Sequence, residues 1–195
     1  MGWGEAHVQA SDATWVGVDV GGPRKGFDVA LIDDRGVVRL LARLDRSGVV
    51  AVVESARPRV VGIDSPRVCA PDGHASRECE RRLARSICGI RWTPDRAHVH
   101  ASAYYGWVAE GLRLYEALGG RDRIEVFPTA SWTRWHGPRG ARSRSAWTRD
   151  ALAALGLVGV PARTNQDQRD AIAAAVTARE YSRGRTQAFG EIHVP

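Results

Sequence analysis

Five acidic side chains stand where the chain pattern would gather them. Asp19 lies near the end of the apolar run Trp15-Val16-Gly17-Val18-Asp19-Val20, and Asp64 ends the run Arg59-Val60-Val61-Gly62-Ile63-Asp64. Glu125 sits inside Ile124-Glu125-Val126-Phe127. Asp167 and Asp170 are three residues apart, on one face of the first turns of a helix. Taken singly, each has an ordinary role: a turn residue, a surface ion pair, a first-turn acid favoured by the helix dipole. Together they are harder to dismiss, because charge inside an apolar strand is costly unless it is paired or metal-bound. Crowded carboxylates need a cation, and hard oxygen donors select Mg²⁺ or Mn²⁺.

Basic residues follow these acids closely. Arg24 and Lys25 come after the first acidic strand and Arg67 after the second, while Arg77, Arg81, Arg82 and Arg85 share a short helical stretch. Guanidinium groups make bidentate phosphate contacts, and a solvated basic face is the plainer reading of the same cluster. Trp92, Trp132, Trp135 and Trp147 are candidates for base stacking or, more simply, for the core. The whole chain agrees in sign: 28 Lys plus Arg against 22 Asp plus Glu give +6 and a pI near 9.9, compatible with a nucleic-acid partner.

The elements that must position these residues can be read from periodicity. Strands are expected at 15–20, 26–33 and 37–44, the first three forming an antiparallel meander. Ser47 is expected to cap a helix through about Ser55, followed by a nearly all-apolar strand at 59–64 of the kind found in the middle of a covered sheet. A helix at 76–84, an amphipathic helix at 101–118, a fifth strand at 124–127 closed by Pro128, a mobile Arg/Gly/Ser-rich segment at 137–146 and a helix near 146–155 follow. Asn165 caps the last long helix, about 166–182, with Gln168 completing a capping box. Ile192–Pro195 reads as a short terminal edge strand. The order predicts an α/β layer fold with a mixed five-stranded sheet and helices on both faces, in one domain over 14–195 after a loose leader at 1–13.

The stretches GVDVGGPRKGFDVALID at 17–33, VVGIDSPR at 60–67, SRECERRLAR at 76–85, IEVFPTASW at 124–132, DQRDAIAAAVTA at 167–178 and EIHVP at 191–195 resemble the predicted RNase H-fold nuclease family grouped as domain of unknown function 429. The resemblance spans nearly the whole chain after about residue 14. It implies an RNase H-like fold and a metal-dependent phosphodiesterase site on Asp19, Asp64, Glu125 and Asp170, with Asp167 as a second candidate from the last helix. Two Mg²⁺ or Mn²⁺ ions would then be bridged by Asp19. Asp64 and Asp170 would hold one side each, and Glu125 would complete the shell or orient a water. Arg24, Lys25, Arg67, Arg77 and Arg81 would position a DNA or RNA backbone.

Two other classes compete with a nuclease. The hairpin Gly17–Gly22 also resembles the phosphate-binding hairpin of sugar kinases and actin-like ATPases, although no second Asp-Gly-rich hairpin follows residue 120. The other competitor is a nucleic-acid-binding module of the same fold without catalysis, distinguished by whether the acids bind divalent metal. No run approaches the roughly 20 apolar residues of a membrane-spanning helix, and the N-terminus lacks the basic start and apolar stretch of a signal peptide, so a cytoplasmic protein is expected. Cys69, Cys79 and Cys88 match no compact zinc spacing and are expected as free thiols.

Overall fold

The computed structural model describes residues 14–195; the expected leader at 1–13 lies outside them. Strands β1 (Trp15–Val20), β2 (Phe27–Ile32) and β3 (Val37–Leu44) form the antiparallel meander, and helix α1 (Arg46–Ala56) leads into β4 (Val60–Asp64). The helix starts two residues earlier than Ser47 predicts, because Asp45 accepts the Gly48 N–H at 2.7 Å. Helices α2 (Glu78–Ser86), α3 (Arg96–Ala101) and α4 (Gly106–Ala117) precede β5 (Arg123–Val126). Helices α5 (Pro128–His136), α6 (Arg144–Ala154) and α7 (Gln166–Ser182) lead to β6 (Gln187–Phe189) and β7 (Ile192–Val194).

The sheet has seven strands, not the five expected, in the order β3-β2-β1-β4-β5-β7-β6. β4 lies parallel to β1, β5 parallel to β4 and β7 parallel to β5. The C-terminal strand is therefore interior, and β6, hairpinned onto it, takes the edge. The single helix expected at 101–118 is broken: Ser102 is extended (φ −125°, ψ 124°), separating α3 from a 3₁₀ turn at Ala103–Tyr105 and from α4. Pro128, expected only to end a strand, begins α5, a position where its missing N–H costs nothing. The segment expected to be mobile is partly α6, which Ser143 caps by accepting the Ala146 N–H.

Each sheet face buries its own layer. Val16, Val18, Val61 and Ile63 pack with Val49 and Val53 of α1 and Leu114 and Tyr115 of α4. Trp15, Val60, Ile124 and Val126 pack with the alanines of α7 and with Trp132 and Trp147. Gly17 and Gly62, paired in register, let α7 come this close. A Cβ on Gly17 would lie 2.1 Å from the Ala171 carbonyl oxygen, and one on Gly62 would lie 2.3 Å from that of Ala174. α7 keeps its start where the sequence puts it, Asn165 and Gln168 exchanging the two bonds of a capping box. Among the described residues no helix is long and apolar enough to cross a membrane, and all three cysteines are free.

Candidate active site

A strand's side chains alternate between faces, so the positions of the two glycines fix those of the acids. Gly17 and Gly62 face α7; two residues on, Asp19 and Asp64 face the same side, directly paired at the ends of parallel strands. Asp170 comes to meet them from α7, directly before Ala171, which sits on Gly17, and one turn before Ala174, which sits on Gly62. Together with Asp167 and Lys25 they line a cavity of about 580 Å³ at the C-terminal ends of β1 and β4.

The electrostatics of this cluster are unbalanced. Burial pushes the Asp19 carboxyl up to about 8, and the charges of Asp170 and Asp167 add to the shift, with Lys25 opposing it. Asp64 is raised well above its ordinary value by burial and then by Asp19 and Asp170. Among the described residues neither Asp19 nor Asp64 makes a side-chain hydrogen bond or ion pair. Asp170 is better provided: Trp132 Nε1 donates to it at 3.0 Å, Gln166 Nε2 at 3.0 Å and Arg144 at 2.8 Å. Burial still raises Asp170 above its ordinary value. Asp167 pairs with Lys25 Nζ at 2.7 Å.

Glu125 departs from expectation. Its neighbours Ile124 and Val126 face α7, so the alternation turns Glu125 to the opposite side of the sheet, beside Ile63. There both of its oxygens are taken by Arg77, at 2.5 and 2.8 Å, and the Arg67 N–H adds a bond at 2.8 Å. Arg77 also bonds Glu80 at 3.0 Å and is only 4% exposed. Burial opposes the Arg77 charge, but the hydrogen bonds and charge of Glu125 hold its proton above the ordinary range. Arg77 and Glu125 thus answer each other's charge, while both line the same cavity as Asp19 and Asp64.

The other expected cations divide. Arg81 is engaged by Glu78 and Ser76, Lys25 lines the cavity while paired to Asp167, and Arg24 and Arg67 are exposed with no ion pair among the described residues. Of the four tryptophans, Trp132 and Trp147 are core, Trp135 packs against that core, and Trp92 is exposed. Sequence reasoning missed Arg144, which no local signal ties to Asp170 across 26 residues. It also missed Gln166 and Asp28, both findable: Gln166 is one helical turn before Asp170, and Asp28 is the cross-strand partner of Asp19.

Among the described residues no three His, Cys, Asp or Glu side chains form a ready metal cage. The donors nevertheless fit a hard divalent cation in kind, since they are all carboxylate oxygens and Asp19 and Asp64 lack counter-ions.

A model of the family described as "Protein of unknown function (DUF429)" matches residues 17–193. No curated protein matches the chain. Among solved structures, the chain is similar to Thermus thermophilus RuvC and to T. thermophilus RuvC in complex with a Holliday junction substrate. Each is 14% identical with a TM-score of 0.48, over 88% of this chain and 96% of that one. The fold is RNase H-like: an antiparallel three-strand meander continued by parallel strands, with helices on both faces.

Proposed function

The chain belongs to the DUF429 family, and we propose that it is a metal-dependent phosphodiesterase acting on nucleic acid, with its reaction centre at Asp19, Asp64 and Asp170. One observation carries this reading. Two carboxylates are held side by side at the ends of parallel central strands, each raised by burial and by neighbouring acids, with no protein cation bonded to either. A fold pays for such crowding only where something else answers the charge.

Mg²⁺ or Mn²⁺ bound there would supply an activated water and charge stabilisation at the phosphoryl group. Asp19 and Asp64 are the first donors, being free of other bonds. Asp170, oriented by Trp132 and Gln166, joins them when Arg144 releases it. Arg144 and Lys25 are 48% and 54% exposed at their side chains, so both can turn from carboxylate to a backbone phosphate. Glu125 and Arg77 act from behind: through the Arg67 N–H they fix the turn that follows Asp64.

The Arg144–Asp170 ion pair favours one alternative, a nucleic-acid-binding module that keeps the fold without cleaving. Cleavage of single-stranded, duplex and branched DNA and of RNA, with Mn²⁺, Mg²⁺ or EDTA, separates the two. The expected result is metal-dependent cleavage that Asp19→Asn and Asp64→Asn each abolish. Cleavage that survives Asp19→Asn, or a protein that neither cleaves nor shifts its melting temperature with Mn²⁺, overturns the proposal.

A further inference from the structure

Two exposed aromatic rings neighbour Arg91, which lines the acidic cavity: Trp92 by sequence and Tyr104 by contact. Trp92 is 44% exposed and Tyr104 59% exposed. Both belong to the stretch between α2 and α4, and Trp92 is flanked in sequence by Arg91 and Thr93, which line the cavity.

Neither ring is exposed through slackness of the chain. Thr93, Pro94 and Asp95, directly after Trp92, are buried. The Thr93 N–H is held by the Glu80 carboxylate at 3.0 Å, the Pro94 carbonyl accepts the Ala70 N–H at 3.1 Å, and the Asp95 N–H donates to the His74 carbonyl at 3.0 Å. Asp95 also caps α3, and its carboxyl is lowered to about 2 by the backbone and side-chain bonds it accepts from His98. Tyr104 is braced edge-on by Tyr105 at 5.0 Å, and the Arg91 guanidinium lies 6.0 Å from the Tyr104 ring centre.

Ser65, Thr93 and Trp107 also line the cavity, and Ser65 Oγ, Thr93 Oγ1 and Trp107 Nε1 make no hydrogen bond among the described residues. Ser65 and Thr93 are 2% and 1% exposed, and Ser65 Oγ lies against α4 at Gly111. These atoms are closed off from the surface, which leaves the exposed rings and Arg91 as the groups a ligand would meet.

We propose that Trp92 and Tyr104, with Arg91, form a stacking platform for the unpaired bases of a single-stranded nucleic acid whose backbone enters the acidic cavity. The proposal deepens the nucleic-acid reading above and rests on it. Stacking needs an open base face, which an intact duplex does not offer, and aromatic rings beside a guanidinium take any base in turn. The chain's +6 charge suits the polyanion.

The test is binding of a short labelled oligothymidylate in EDTA, where cleavage does not interfere, alongside a blunt duplex of equal length. Wild-type protein should prefer the single strand. Trp92→Ala and Tyr104→Ala should each weaken that binding by about fivefold to a hundredfold, and Trp92→Phe should recover most of it. The salt dependence should stay unchanged, because phosphate contacts are untouched. Both side chains are exposed, and far-ultraviolet circular dichroism checks that the variants fold. Alanine variants that bind like the wild type, a wild type that prefers the duplex, or a wild type that binds neither would each overturn the platform. Ring-dependent binding without any Mn²⁺-dependent cleavage refutes the catalytic reading alone. Cleavage with binding indifferent to ring loss refutes the platform alone.

Discussion

Two clusters of acids come off opposite faces of the same sheet end and line one cavity. On the α7 side, burial raises Asp19, Asp64 and Asp170, Asp170 raises Asp19 and Asp64 further, and Asp19 adds to the shift of Asp64. On the other side, Glu125 and Glu80 surround Arg77, and the Arg77 bonds pull Glu125 down against its burial. The two clusters share residue types and strand ends and differ in what answers the charge. In the Arg77 cluster both acids are hydrogen-bonded to a guanidinium within the protein, although burial still holds Glu125 above its ordinary value. The Asp19 cluster is incomplete, and on the proposed reading a metal ion would bring the missing positive charge.

The sharpest way to break this contrast is to remove Arg77. Arg77→Met leaves Glu80 and Glu125 buried without a counter-ion, and breaking a buried pair in that way costs about 3–5 kcal/mol. Urea denaturation should show the midpoint falling accordingly. A variant nearly as stable as the wild type would mean that Glu125 is not held by Arg77 in solution, and its assignment to structure would fail.

The opposite sign is expected at Asp19. Its folded-state carboxyl sits near 8 against an ordinary 3.8, so the folded protein holds that proton more tightly than the unfolded chain does. The stability this contributes is fully present below about pH 4 and is lost as pH rises through about 8, and Asp64 acts in the same direction. Metal-free protein should therefore melt lower at pH 8.5 than at pH 5.5, by on the order of a few kcal/mol in stability. Asp19→Asn should flatten that slope and be more stable than the wild type at the higher pH. Mn²⁺ should restore wild-type stability at high pH and leave the variant unmoved. A wild-type melting temperature that rises between the two pH values would contradict the crowding.

Much of this site was legible before the structure, because it rests on local rules. Alternation along β1 and β4, with glycines two residues before each acid, places Asp19 and Asp64 on one face. The capping box fixes where α7 begins and hence which residue lies a turn inside it. The same alternation, applied to Ile124 and Val126, would have turned Glu125 away. Placing it with the other acids gave weight to residue type over face. What could not be read was long-range: Arg77 reaching Glu125 across 48 residues, Arg144 reaching Asp170, and β7 inserting beside β5. Short strands such as Gln187–Phe189 carry too little pattern to announce themselves.

The finest division lies within α7, between Asp170 and Asp167. Asp170 is 2% exposed and bonded to Trp132, Gln166 and Arg144, so replacing it touches a buried network. Asp167 sits in the first turn, where an acid interacts favourably with the helix end, and its partner Lys25 is half exposed. A pair so open to water contributes about 0–1 kcal/mol. Asp167→Asn should therefore change stability by no more than about 1 kcal/mol, and the change should shrink with added salt. It should also ease the crowding at Asp19, since Asp167 is one of the charges that raise it. The Mn²⁺-dependent rise in melting temperature should survive in Asp167→Asn and be lost in Asp170→Asn, where a carboxylate inside the cluster becomes an amide. Melts of the two variants with and without Mn²⁺ decide the matter. If Asp167→Asn loses the metal response while Asp170→Asn keeps it, the ion is held at the mouth of the cavity beside Lys25, and the buried cluster is not its site.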